Sequence, residues 1–145
     1  MKNFDDAFGL ACESINIYDG PDLFLQSFSA ADRDAALIYA ATFCQSEICN
    51  GGFHQFFFNS TGVLAPEAVE AFTRLGMPDT ADVVRQACDR LGSAFPRERP
   101  ARQGLLRERE FRDLDDRFYE LLEQENGGFE AASQRFIDAV NARNR

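Results

Sequence analysis

Apolar residues along the chain recur three and four positions apart, a spacing that predicts helices almost throughout. Phe4, Phe8, Ala11 and Ile15 share one face of a first helix, which Gly20-Pro21 ends. Ser29-x-x-Asp32 is read as the cap of a second helix, with Asp in the place of the usual Glu or Gln. Leu37, Ala40, Ala41, Cys44 and Ile48 form the inward stripe of that helix, and Asn50-Gly51-Gly52 stops it. A short aromatic segment follows, Phe53 to Phe58, and then the turn Asn59-Ser60-Thr61-Gly62. Pro66 suits the first turn of a helix running to Leu75, with Gly76 at its C-terminal cap. Asp79 or Thr80 is expected to cap the next helix, which turns Val83, Val84, Ala87, Cys88 and Leu91 inward and closes at Gly92.

Two prolines bracket the charged triplet of Pro96-Arg97-Glu98-Arg99-Pro100, which reads as a loop too short to link domains. Leu105, Leu106, Phe111, Leu114, Phe118, Leu121 and Leu122 then support one helix or a broken pair. Arg109/Asp113 and Asp113/Arg117 are spaced to pair on its solvent face. Asn126-Gly127-Gly128 breaks the pattern, and Phe129, Phe136, Ile137 and Val140 belong to a final helix. No alternating stretch is long enough for a strand. The expected fold is all-α: a single compact domain over residues 1–145, with six or seven helices. The recurrence of Asn50-Gly51-Gly52-Phe53 as Asn126-Gly127-Gly128-Phe129 reads as two similar helix stops, because the flanking residues do not match.

Charge changes this picture from a generic helical domain to a polarised one. The net charge is −9, and all of it lies in the first 84 residues, where Lys2, Arg33 and Arg74 face 12 Asp and Glu. The remaining residues hold 12 Arg and 12 Asp and Glu, so they are neutral. A field of that sign repels nucleic acid and membrane surfaces and attracts basic proteins, although solubility alone would also account for it. No apolar run approaches the roughly 18 residues of a membrane span. Met1 to Asp6 does not resemble a targeting segment, so a cytoplasmic location is expected. Cys12, Cys44 and Cys88 fall on inward stripes and read as core thiols of a reducing compartment, while the pattern leaves Cys49 unplaced.

Candidate catalytic chemistry is sparse. The one histidine, His54, would need Glu47 or Cys49 beside it to act as a base or ligand. Cys44, Cys49 and His54 are five residues apart, a spacing that turns successive side chains about 140° on a helix, so they diverge from any common metal. Neither Gly-Gly pair continues into Lys-Ser/Thr, and no GxSxG or HExxH occurs. The adjacent carboxylates Asp5-Asp6 and Asp115-Asp116 point about 100° apart on a helix and suit a solvated face. No enzymatic activity, cofactor or metal is expected.

The chain has 15 Phe and no Trp. Phe53, Phe56, Phe57 and Phe58 project in too many directions for a one-sided helix, so they are wrapped by other helices or partly exposed for a partner or a homodimer. The buried reading is preferred, with Asn50, Gln55, Asn59 and Ser60 satisfying backbone groups at the two helix ends. Residues 50–62 have the form NGGFxQFFxNSxG, which resembles the signature of the DNA-mimic-protein-like family, a mostly bacterial domain. Ala68 to Gly76 is similar to that family's helix ending in Leu/Ile-Gly, and Leu114-Asp115-Asp116-Arg117-Phe118-Tyr119 to its LDxxFY element. The resemblance covers about 35–140.

That resemblance implies an all-helical fold without known enzymatic activity. The family takes its name from a member that presents carboxylates in place of DNA phosphates and occupies the DNA-binding face of a transcription factor. Asn50, Gly51, Gly52, Phe53, Gln55, Phe56, Asn59, Ser60 and Gly62 carry the match and read as structural. Mimicry itself requires carboxylates at regular spacing, since partners of duplex DNA bind chiefly through Lys and Arg contacts to phosphates. Glu67/Glu70 and Asp79/Asp82 are three apart, Asp19/Asp22 and Asp32/Asp34 lie in or near loops, and no Lys or Arg interrupts Asp5 to Asp32. The sequence thus predicts a non-catalytic acidic module that blocks a basic, nucleic-acid-binding protein and itself binds neither nucleic acid nor membrane. The alternative is an immunity-type inhibitor of a cognate bacterial toxin.

Overall fold

Glycine and proline set where the helices of this chain begin and end. The computed structural model describes residues 1–145 as eight α-helices without a strand. They are α1 (Phe4–Cys12), α2 (Pro21–Ala30), α3 (Arg33–Phe58), α4 (Ala65–Arg74), α5 (Pro78–Asp89), α6 (Arg99–Leu106), α7 (Arg112–Gln124) and α8 (Phe129–Arg143). A 3-10 turn, Ser60–Leu64, joins α3 to α4, and a shorter one, Glu125–Gly127, joins α7 to α8. Four helices open with proline in their first two positions, where the missing N–H costs nothing.

The count exceeds six or seven because Gly20-Pro21 starts a helix as well as following one. Gly20 takes a positive φ of 100°, Pro21 begins α2, and Phe24 and Phe28 turn inward four residues apart. Ser29 therefore lies inside α2 and caps nothing. Asp32 is itself the N-cap of α3, its carboxylate accepting the Ala35 N–H at 2.9 Å. Helix α1 ends at Cys12, so Ile15 is buried from the following loop, and Cys12 is exposed where an inward thiol was expected.

The capping of α5 likewise departs from the expectation. Neither Asp79 nor Thr80 is the cap. The Glu125 carboxylate, from the turn after α7, instead accepts the Asp79 N–H at 2.8 Å, the Thr80 N–H at 2.8 Å and the Thr80 hydroxyl at 2.7 Å. Near α7, Asp113 pairs with Arg90, just beyond α5, and Arg109 donates to the Arg90 carbonyl, in place of the expected pairs along one helix. The two Asn-Gly-Gly-Phe strings also differ in conformation. Asn126, Gly127 and Gly128 all take positive φ, whereas in the first string only Gly52 does.

Helix α3 runs through the centre of the molecule, packed by α1, α4, α6 and α7. Its first half buries Ala35 to Ala41 without interruption, so no polar face is available there. Phe53, Phe56 and Phe57 of its second half are fully buried, while Phe58 is 45% exposed. The Phe53 ring meets Phe57, Phe111 and Phe118 with centroids 5.7–6.1 Å apart, which joins the aromatic segment to α7.

Candidate functional site

Helix α3 is broken where the sequence places two glycines. Gly51 is extended (φ −156°), and Gly52 has φ 75° and ψ −177°, a region essentially reserved for glycine. A break inside a helix leaves carbonyls on one lip and N–H groups on the other in need of partners. Helix α7 supplies both. Asp115 accepts the Phe53 N–H at 2.8 Å, and the Tyr119 hydroxyl donates to the Ile48 carbonyl at 2.9 Å. A Cβ on Gly52 would stand 2.7 Å from an Asp115 carboxylate oxygen, so residue 52 must be glycine for space as well as for φ. Burial pushes the Asp115 pKa up, opposed by the Phe53 N–H, while Asp116 and Asp113 raise it and His54 lowers it.

A second clasp spans the break from the other side. Glu47, on the first half of α3, accepts from Gln55 Nε2 at 2.8 Å and Asn59 Nδ2 at 3.2 Å, both across the break. Its other oxygen accepts the hydroxyl of buried Thr61 at 3.0 Å. Gln55 and Asn59 thus bond a side chain where backbone groups were expected, and Asn50 and Ser60 make no side-chain hydrogen bond.

The C-terminal end of α3 is capped by cations. Arg102 of α6 is fully buried and has no carboxylate partner. Its guanidinium donates to the Phe57 carbonyl at 2.8 Å, Asn59 at 2.9 Å, Arg97 at 2.6 Å and Pro96 at 3.4 Å. Arg99 and Gln103 both donate to the Phe58 carbonyl. A helix C-terminus favours positive charge, while burial pulls the Arg102 pKa down to about 10, with Arg99 and Arg97 lowering it further and Glu98 opposing them. Gly62 leaves room for this side chain, since a Cβ there would lie 2.8 Å from Arg102 Nε and 2.7 Å from the Phe56 carbonyl oxygen.

The carboxylates singled out by spacing have divergent fates. Glu67 forms a part-buried, two-pronged ion pair with Arg97 at 2.5 and 3.0 Å. Glu70 pairs with Arg33, Asp82 with Arg85, and Asp34 with Arg143 at 3.6 Å. Asp32 caps α3 and Asp19 accepts from Asn16 Nδ2 at 2.9 Å. Asp22 and Asp79 are exposed, and their side chains have no partner. Glu67/Glu70 and Asp79/Asp82 therefore do not form one open row.

The carboxylates of the N-terminal segment, Asp19, Asp22 and Asp32 among them, are free of cation partners. None of the six ion pairs includes a carboxylate from residues 1–32, where Asp5, Asp6, Glu13, Asp19, Asp22 and Asp32 are all exposed and Lys2 is the one cation. Four of the six exposed large apolar side chains, Leu10, Tyr18, Leu23 and Leu25, lie in the same segment. Helix α7 also exposes Asp116, Glu120 and Glu123 at helical spacing, with Arg117 3.9 Å from Glu120. That spacing is present in the sequence, but it is masked when Asp115-Asp116 is taken only as a pair of adjacent carboxylates.

His54 is exposed, and its ring lies parallel to that of Phe58, with centroids 6.3 Å apart. Glu47 is engaged by its three donors, and the Cys49 thiol sits 4.0 Å from Gln45 Oε1, so neither pairs with His54. Partial desolvation of the exposed Cys49 thiol by its neighbours, followed by the charge of Glu123, raises its pKa and keeps it protonated. No three His, Cys, Asp or Glu side chains converge on a possible metal position. No helix is long and apolar enough to cross a membrane.

These features define an all-α domain organised around a broken central helix whose two lips are held by α7. The chain belongs to the family described as DMP19-like protein, whose model matches residues 29–140. The matched span begins six residues before the start expected from the sequence motifs, and it includes the break, α7 and most of α8. No curated protein and no solved structure matches the chain.

Proposed function

We propose that this protein is a non-catalytic binding module whose acidic surface occupies the basic, nucleic-acid-binding face of another protein. The observation that carries this reading is the uncompensated charge of residues 1–32. After Arg33, Arg85, Arg90, Arg97, Arg117 and Arg143 are matched to their carboxylates, that segment retains six carboxylates against one lysine. Carboxylates free of internal cations are the ones able to replace phosphates in contacts with Lys and Arg. Membership of the DMP19-like family is consistent with DNA mimicry.

The test is capture of partners on the immobilised chain at low salt, elution with a salt gradient, and the same experiment with Asp5, Asp6, Asp19 and Asp22 all changed to Asn. A basic DNA-binding protein should elute steeply with salt from the native chain and bind weakly to the variant. A partner held equally by both chains, through high salt, would refute the reading and would suit a toxin–immunity pair.

A further inference from the structure

Beside the break in α3 lies an open depression of about 720 Å³. Glu47 lines it with no cation beside it, since its three hydrogen bonds come from neutral donors and it joins no ion pair. Gln55 and Asn59 also line it. Each amide commits one N–H to Glu47, which leaves its carbonyl oxygen and a second N–H unbonded. Asn50 lines it too and makes no side-chain hydrogen bond, although it opens the sequence motif. The half-buried Phe43 ring forms part of the wall and is fixed by Tyr39 and Phe8, at centroid distances of 4.7 and 5.6 Å.

A hollow with one carboxylate that no cation meets, amide carbonyls beside it and an aromatic wall repels anions and suits a donor-rich cation. A metal would want several anionic ligands, and Glu47 is the only carboxylate there. A planar guanidinium fits better than an ammonium, because it offers five donors in one plane and stacks on aromatic rings. We propose that this depression receives an arginine side chain of the basic partner. Glu47 and the amide oxygens accept from the guanidinium, and Phe43 lies against its face. The proposal rests on the partner being basic. It adds a directional contact to the long-range attraction exerted by residues 1–32.

The probe is N-acetyl-arginine amide, titrated into the isotope-labelled full chain and followed by NMR, with the lysine and citrulline amides as comparisons. The side-chain amide signals of Asn50, Gln55 and Asn59 should shift saturably with the arginine probe, and the neutral citrulline isostere should bind about tenfold more weakly. Asn50→Ala removes a side chain that bonds nothing within the fold, and Phe43→Leu keeps the wall apolar; each should weaken binding several-fold in a folded chain. Glu47→Gln should abolish saturation, but it also loosens the clasp, so the other two variants decide the outcome. Equal responses to arginine and citrulline, or linear shifts confined to residues 1–32, would overturn the proposal. Saturation at these amides without capture of any basic protein would retain the arginine site and refute mimicry. Capture without saturation would do the reverse.

Discussion

Replacing Gly52 by Ala tests whether the broken helix is held as described. The substitution forces a side chain into φ 75°, ψ −177°, a conformation that costs a non-glycine residue about 1–3 kcal/mol. The new Cβ would lie 2.7 Å from an Asp115 oxygen, so the carboxylate must withdraw from the N–H of Phe53, a residue with no solvent exposure. Leaving a buried N–H unpaired costs a further 1–3 kcal/mol or so. Together the loss is about 2–6 kcal/mol, read by urea unfolding, or about 6–18 °C in Tm for a chain of this length. Asp115→Ala supplies the control. In its background the collision is gone and the N–H is already unpaired, so Gly52→Ala should cost only the backbone term. The two substitutions should therefore couple by about 1–3 kcal/mol. A loss below about 1 kcal/mol for Gly52→Ala, or strict additivity of the pair, would refute the account.

Other expectations follow from the same contacts. Arg102→Leu leaves the carbonyls of Phe57, Asn59 and Arg97 without their buried donor and should cost about 3 kcal/mol or more in urea unfolding, with Arg102→Lys restoring only part because an ammonium lacks the fork. The Arg90 guanidinium, bonded to Asp113 at 2.6 and 2.8 Å, holds that carboxyl down to about 2. Because the folded value is depressed, the pair's contribution is present above the ordinary Asp value of about 4 and is lost as pH falls towards 2. An NMR titration should place the Asp113 midpoint there, and Arg90→Gln should return it to the ordinary range. Thiol labelling of the native chain should modify exposed Cys12 and Cys49 and spare Cys44 and Cys88, which burial also holds protonated; native-state labelling of all four would contradict the packing of α3 against its neighbours.

What the sequence makes legible is local. The inward stripes of α3, α5 and α8 and the stop at Gly51-Gly52 follow from spacing and glycine chemistry within a few residues. Helix α2 is hidden because Gly20-Pro21 serves equally as an end and a beginning, and the short stripe of Phe24 and Phe28 is weak evidence alone. The candidate site is harder to read. Glu67 meets Arg97 across 30 residues and Glu70 meets Arg33 across 37, so which carboxylates are neutralised depends on tertiary packing. Glu125 cannot be recognised as the cap of α5 for the same reason, lying 45 residues from Thr80. Lys2 is the only base ahead of Arg33, so the open acidic segment is legible in composition alone.

Asp115 and Tyr119 stand four residues apart on α7, a rise of about 6 Å, and each closes one lip of the break in α3. That interval acts as a molecular ruler. Residues added to the connection 107–111 lengthen a loop at small entropic cost. A single residue added between 115 and 119 swings Tyr119 about 100° around the helix and parts it from Ile48. Relatives built on the same broken helix are expected to vary in length before α7 and to hold the four-residue interval constant.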